Sequence, residues 1–114
     1  MLVFVYGSLR HGEEYHGFLA TAVALGPHTT PPVYDMWDLD GYPAVTPGGS
    51  TAIDGELYDI DGQTLAALDV LEEVPTLYQR AQTATPHGLA AIYVVADRPP
   101  DARAVPSGRW SARR

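Results

Sequence analysis

The chain contains no cysteine and no lysine. Without thiols there is no disulfide framework, no thiolate zinc site, no iron–sulfur cluster and no cysteine nucleophile. Without lysine there is no Schiff base of the pyridoxal type and no phosphate-reaching side chain of a P-loop. All seven basic residues are arginine, against 14 acids, so the formal charge is −7. An acidic body repels phosphate, which argues against a nucleic-acid partner. No run approaches the roughly 20 apolar residues of a membrane span, and the N-terminus lacks the basic, apolar and small-residue order of a signal peptide. The expectation is a cytoplasmic protein with neither membrane nor nucleic acid as partner. With 114 residues it is expected to form one domain.

What remains for chemistry is carboxylates, four histidines, seven tyrosines, hydroxyls and the backbone. Charge divides the chain. Residues 1–97 hold 13 acids and two arginines, whereas residues 98–114 hold five arginines and one acid. The switch falls at Arg98-Pro99-Pro100-Asp101, the expected end of a domain over 1–97, with an Arg-rich arm over 98–114 docked on, or fraying from, the acidic body.

Apolar, β-branched and aromatic residues make Leu2 to Tyr6 a buried strand, stopped by Gly7-Ser8. Strands are expected over Thr21–Leu25, Pro32–Asp38 and Thr51–Ile60, with turns at Pro27, Pro31 and Pro32. The turn clusters Asp40-Gly41-Tyr42-Pro43 and Pro47-Gly48-Gly49-Ser50 flank a brief extended piece. Leu77–Thr85 and Leu89–Ala96 pair as a hairpin through Pro86-His87-Gly88. A short helix is expected over Glu14–Ala20. A second runs from Gly62 to about Glu73, with Asp61 as N-cap and Pro75 ending it. Many short strands with two helices indicate an α+β fold with a strongly curved or closed sheet.

The second helix carries the sharpest physical signal. At about 100° per residue, Leu65, Leu68 and Leu71 set the core direction, and Glu72 falls within about 40° of it. Glu73 and Asp69 fall on the flank or beyond. A carboxyl on an apolar face loses hydration, which disfavours its charged form and raises its pKa toward the range useful for proton transfer. The structural alternative is a helix-end Glu72 that pairs with Arg80 or caps backbone N–H groups. A second signal is Tyr6-Gly7-Ser8-Leu9-Arg10, where a strand breaks into a turn whose main-chain donors can hold a carboxylate or an oxyanion. Glu13-Glu14 stand where a P-loop needs Lys-Ser/Thr, and no G-x-S-x-G elbow surrounds Ser8. His11, His16, His28 and His87 show no metal-ligand spacing. Trp37 and Trp110 read as packing anchors, the second pinning the tail.

Val5-Tyr6-Gly7-Ser8-Leu9, Gly55-Glu56-Leu57-Tyr58, Leu68-Asp69-Val70-Leu71-Glu72 and Tyr78-Gln79-Arg80, in that order, resemble the gamma-glutamylcyclotransferase-like family. The closest branch is the small gamma-glutamylamine cyclotransferases and their bacterial relatives, over roughly residues 1–97. The resemblance implies a small mixed β-barrel flanked by two short helices. It also implies cofactor-free, metal-free release of an amine from a gamma-glutamyl group as 5-oxoproline. It places the acid/base on Glu72, the substrate loop on Tyr6, Gly7, Ser8 and Leu9, and a pocket tyrosine on Tyr78. Two features depart from the family pattern: Glu73 stands where glutathione-pathway branches carry Gly, and residues 10–15 are more acidic than usual. A non-catalytic module binding a small metabolite in the same pocket is the alternative, and a monomer or weak homodimer the expected state.

Overall fold

The computed structural model describes residues 1–112. Among these residues, eight strands and one α-helix follow in order: β1 (Leu2–Val5), β2 (Val23–Thr29), β3 (Tyr34–Asp38), β4 (Pro43–Pro47), β5 (Asp54–Asp59), α1 (Gly62–Leu71), β6 (Gln79–Thr85), β7 (Gly88–Val94) and β8 (Arg103–Ala104). They form a five-stranded sheet in the order β2-β5-β1-β7-β6 and a three-stranded sheet in the order β4-β3-β8. The first sheet is mixed, because β1 runs antiparallel to β5 and parallel to β7.

The expected barrel is not closed. Strands β2 and β6 are both edges of the larger sheet, and β3 and its neighbours form a separate one. The apolar run in β1 is explained by burial on both faces. Val3 and Val5 face a cluster with Leu19, Leu68 and Tyr78. Phe4 and Tyr6 face the opposite cluster with Tyr34, Met36 and Val45. The larger sheet is thus a middle layer, with α1 on one side and the smaller sheet on the other, an arrangement that needs no closure.

The second expected helix is real, with Asp61 as N-cap accepting from the Thr64 N–H at 2.7 Å. It ends at Leu71, so Glu72 is the C-cap rather than an interior residue. The expected helix over Glu14–Ala20 shrinks to a single 3-10 turn at His16–Leu19. A Gly17 inside the segment and the loop's own hydrogen bonds leave no room for further turns. Pro27, expected in a turn, lies inside β2. The strand is an edge, which tolerates the missing N–H, and a bulge between Ala24 and Gly26 re-aims it, with Gly26 at φ +97°.

Residues 98–112 pack on the body. Strand β8 pairs with β3, and Ala102 and Trp110 are buried. Arg109 meets Asp54 at 2.6 Å, Arg103 meets Asp38 at 3.6 Å, and Arg98 stacks on Trp37 at 4.6 Å from the ring centre. Arg113 and Arg114 of the expected arm lie outside the described residues.

Candidate active site

A cavity of about 310 Å³ opens where β1 ends, between the turn after it, the Tyr42-Pro43 corner where β4 begins, and the C-terminus of α1. Tyr6, Gly7, Ser8, Leu9, Glu72 and Tyr78 all line it. The residues singled out in sequence, from three distant stretches, therefore share one hollow.

The turn is built around its carbonyls. The Gly7 carbonyl accepts from the Arg10 N–H at 3.1 Å and from Arg10 Nε at 3.0 Å. The Ser8 carbonyl accepts from the Tyr15 N–H at 2.8 Å, and that of Leu9 from His16 Nδ1 at 2.9 Å. A trans peptide points its N–H opposite its C=O, so fixing the carbonyls of Gly7 and Ser8 also fixes the N–H groups of Ser8 and Leu9. No acceptor among the described residues takes these two amides. They are free, pre-oriented donors, the equipment of an anion or oxyanion site. Gly7 is required here by space and not by an unusual φ. A Cβ on it would stand 2.7 Å from Cγ of Pro43, so the turn can lie against β4 only without a side chain. No hydrogen bond joins the Ser8 hydroxyl to a base among the described residues, so the pairing that activates a serine-hydrolase nucleophile is not formed.

Glu72 is placed by the way α1 stops. The Val74 N–H bonds the Asp69 carbonyl at 3.0 Å and the Glu73 N–H bonds that of Val70 at 3.1 Å, the two bonds of a Schellman cap. Glu73 takes the left-handed position, φ +52°, turning the chain away. The Tyr78 N–H then closes on the Glu72 carbonyl at 3.3 Å. The carboxyl is half-buried, while Glu73 is exposed. The alternative pairing with Arg80 does not form, because Arg80 meets Asp69 instead, at 3.0 Å. No donor among the described residues bonds the Glu72 carboxylate. Burial alone pushes its pKa up to about 7.

The tyrosines around it are held neutral. Tyr6 donates to the Tyr93 carbonyl at 2.6 Å, Tyr78 to that of Pro43 at 2.7 Å, and Tyr93 to Asp69 Oδ1 at 2.7 Å. Burial raises all three, and the Glu72 charge raises them further. Tyr78 thus serves as wall and strut, its proton already committed to the backbone. Among the inner wall residues, Glu72 is the group that changes protonation near neutrality.

Sequence reasoning missed Tyr42, Pro43 and Tyr93 on this wall, and also Glu14 and Tyr15 at its mouth. Tyr42 and Pro43 read only as a turn, and Tyr15 only as part of a helix. The available signal was tyrosine abundance, since five of the seven line the cavity. No three His, Asp or Glu residues cluster as a metal site among the described residues.

Comparison with known proteins identifies the family. The family model described as gamma-glutamyl cyclotransferase, AIG2-like, matches residues 3–112, well past the 97 expected from motifs. A putative gamma-glutamylcyclotransferase of Vibrio cholerae is 43% identical over 112 residues, covering 98% of this chain and 96% of the relative. The gamma-glutamylcyclotransferase family protein YtfP of Escherichia coli K12 is 40% identical, covering 96% of each. The crystal structure of protein PH0828 from Pyrococcus horikoshii superimposes with a TM-score of 0.83 at 25% identity, covering 96% of this chain and 88% of that one. With the match spanning nearly every residue, the chain belongs to the AIG2-like gamma-glutamylcyclotransferase family and is a cyclotransferase-like enzyme.

Proposed function

We propose that the chain releases an amine from a gamma-glutamyl amide as 5-oxoproline, with Glu72 carrying the proton and no cofactor taking part. The observation that carries this reading is a half-buried carboxyl without a hydrogen-bond donor, lining the same cavity as the Gly7–Leu9 turn, whose Ser8 and Leu9 amides have no acceptor among the described residues. The family match supplies the gamma-glutamyl substrate class.

The substrate's α-nitrogen attacks its own γ-carbonyl carbon, forming the ring C–N bond. The bond to the departing amine then breaks. Holding the glutamyl chain bent makes the attack intramolecular, which supplies much of the rate. The α-amine arrives protonated, so a base must take that proton, and the leaving nitrogen departs only when protonated. Ionised Glu72 accepts the proton from the first nitrogen and delivers it to the second, so one carboxyl serves as base and then acid. With a pKa near 7 it is matched to both steps at neutral pH. The Ser8 and Leu9 amides face either the substrate α-carboxylate or the oxyanion that forms at the γ-carbon, and one such donor is worth about 3 kcal/mol. Tyr6 and Tyr78 shape the wall.

Glu72→Gln keeps the shape and cannot cycle a proton. Formation of 5-oxoproline from a gamma-glutamyl amide should fall by about 10²-fold or more. Undiminished turnover by this variant defeats the assignment. Free glutamate as the product points to hydrolysis, and a ligand recovered unchanged points to a binding module.

A further inference from the structure

One tyrosine stands beside two carboxyls. Asp69 precedes Glu72 by three positions at the end of α1, so their side chains are neighbours on the helix surface. Tyr93, from β7, meets this pair on the cavity wall. Its hydroxyl donates to Asp69 Oδ1 at 2.7 Å, and Arg80 Nε reaches the same oxygen at 3.0 Å. Burial, the bond to Asp69 and, more weakly, the Glu72 charge keep that hydroxyl protonated. Tyr6, from the end of β1, and Tyr78, from the segment before β6, also feel the Glu72 charge. Their protons go to the carbonyls of Tyr93 and Pro43, so of the three only Tyr93 gives its proton to a side chain. The exposed residues Glu14, Tyr15, Tyr42 and Glu73 complete the titratable lining, which holds no arginine or histidine among the described residues.

A hydroxyl beside two carboxylates donates to the one whose charge is better supported. Asp69 has the Arg80 guanidinium against it, whereas Glu72 is desolvated and bonds no donor among the described residues. We infer that Asp69 is a positioning residue for the reaction: with Arg80 as its support, it takes the Tyr93 proton and so withholds a donor from Glu72. A donor on Glu72 would favour the charged form and weaken it as a base. Asp69 thus protects the basicity of its neighbour, acting through Tyr93. The inference rests on Glu72 as the proton carrier and adds a residue to that role, while titration of the carboxyl tests it without any turnover.

The test is a pH titration of the full chain with carbon-13 in its glutamate carboxyls, followed by NMR, with Glu72→Gln identifying the resonance. The Glu72 midpoint in the parent is expected at about 7. In Asp69→Ala the freed Tyr93 hydroxyl turns to Glu72, and the midpoint should drop by about one pH unit or more. The acid limb of kcat/KM for 5-oxoproline formation should move down with it, which a merely structural loss would not cause. Asp69→Asn keeps an acceptor for Tyr93 while discarding the charge and the Arg80 pairing, and its midpoint should stay within about half a pH unit of the parent. The double variant Asp69→Ala, Tyr93→Phe has no hydroxyl to donate and should return to the same range. An unmoved midpoint in Asp69→Ala overturns the inference. So does a drop that persists in Asp69→Asn or in the double variant, because the lost charge or the freed Arg80 would then be its cause. A parent protein that forms no 5-oxoproline overturns the cyclotransferase reading instead, and the carboxyl titration still decides whether Asp69 diverts the Tyr93 proton.

Discussion

At the scale of one residue, the consequence of burying Glu72 is a pH-dependent conflict between stability and function. Its pKa in the folded chain, about 7, lies above the ordinary 4.5, so between those values the folded state keeps a proton that the unfolded state has released. This group's contribution to stability is therefore fully present below about pH 4.5 and is lost as pH rises through about 7. The loss amounts to about 2 to 3 kcal/mol, an order-of-magnitude figure. Glu72→Gln removes the titration, so its thermal midpoint should match the parent near pH 4.5 and exceed it by on the order of 10 °C at pH 8. Calorimetry at the two pH values checks this, and equal midpoints at pH 8 would show that the carboxyl is not desolvated. Activity runs the other way. On the proposed reading the ionised form is the base, so kcat/KM should fall roughly tenfold per pH unit below about 7. A limb near 4.5 instead would remove Glu72 from that role.

At the scale of elements, the cap of α1 and the turn after β1 set the site, and the two differed in how far sequence revealed them. The helical wheel already set Glu72 apart from Glu73 and Asp69, because helical periodicity is local and survives without knowledge of partners. It could not show that Arg80 would choose Asp69, a pairing that depends on where β6 enters the sheet. Likewise Val5-Tyr6-Gly7-Ser8 announced a strand and a break, whereas the reason for Gly7 lies in Pro43, 36 positions away. Gly7→Ala should force the turn off β4, destabilising the fold by about 1 to 3 kcal/mol and lowering kcat/KM by misplacing the Ser8 and Leu9 amides. Denaturant unfolding and steady-state rates test both effects, and wild-type values in each would show that the contact is slack. Glu73→Gly acts in the opposite sense on stability. It relieves the left-handed glutamate and should raise unfolding free energy by up to about 1 kcal/mol, read from the denaturant midpoint.

At the scale of the whole molecule, the strands were largely legible and their assembly was not. Alternation and turn chemistry are written locally, but closure depends on which edges meet. Here β2 and β6 remain edges of the larger sheet, while α1 and the smaller sheet cover its two faces. The charge reversal at residue 98 suggested a boundary, and beyond it Arg103 and Arg109 meet acids of the body while Trp110 enters the core with Phe4, Tyr34 and Met36. Charge pattern marks a docked segment and a loose one identically; buried aromatic surface distinguishes them. Trp110 also supports the site at a distance. Its ring lies under the Arg10 guanidinium, 5.7 Å from the centroid, and its carbonyl accepts from the same side chain whose Nε fixes the Gly7 carbonyl. Trp110→Ala should therefore cost about 3 kcal/mol of stability. In addition, KM should rise at temperatures where the variant is still folded, because the anchor that orients the Ser8 amide has lost its support. Trp110→Phe, which keeps the carbonyl and a ring beneath Arg10, should recover KM more fully than stability. If KM stays at the parent value in Trp110→Ala while the thermal midpoint drops, the C-terminal segment is a staple of the core alone and Arg10 orients the turn without it.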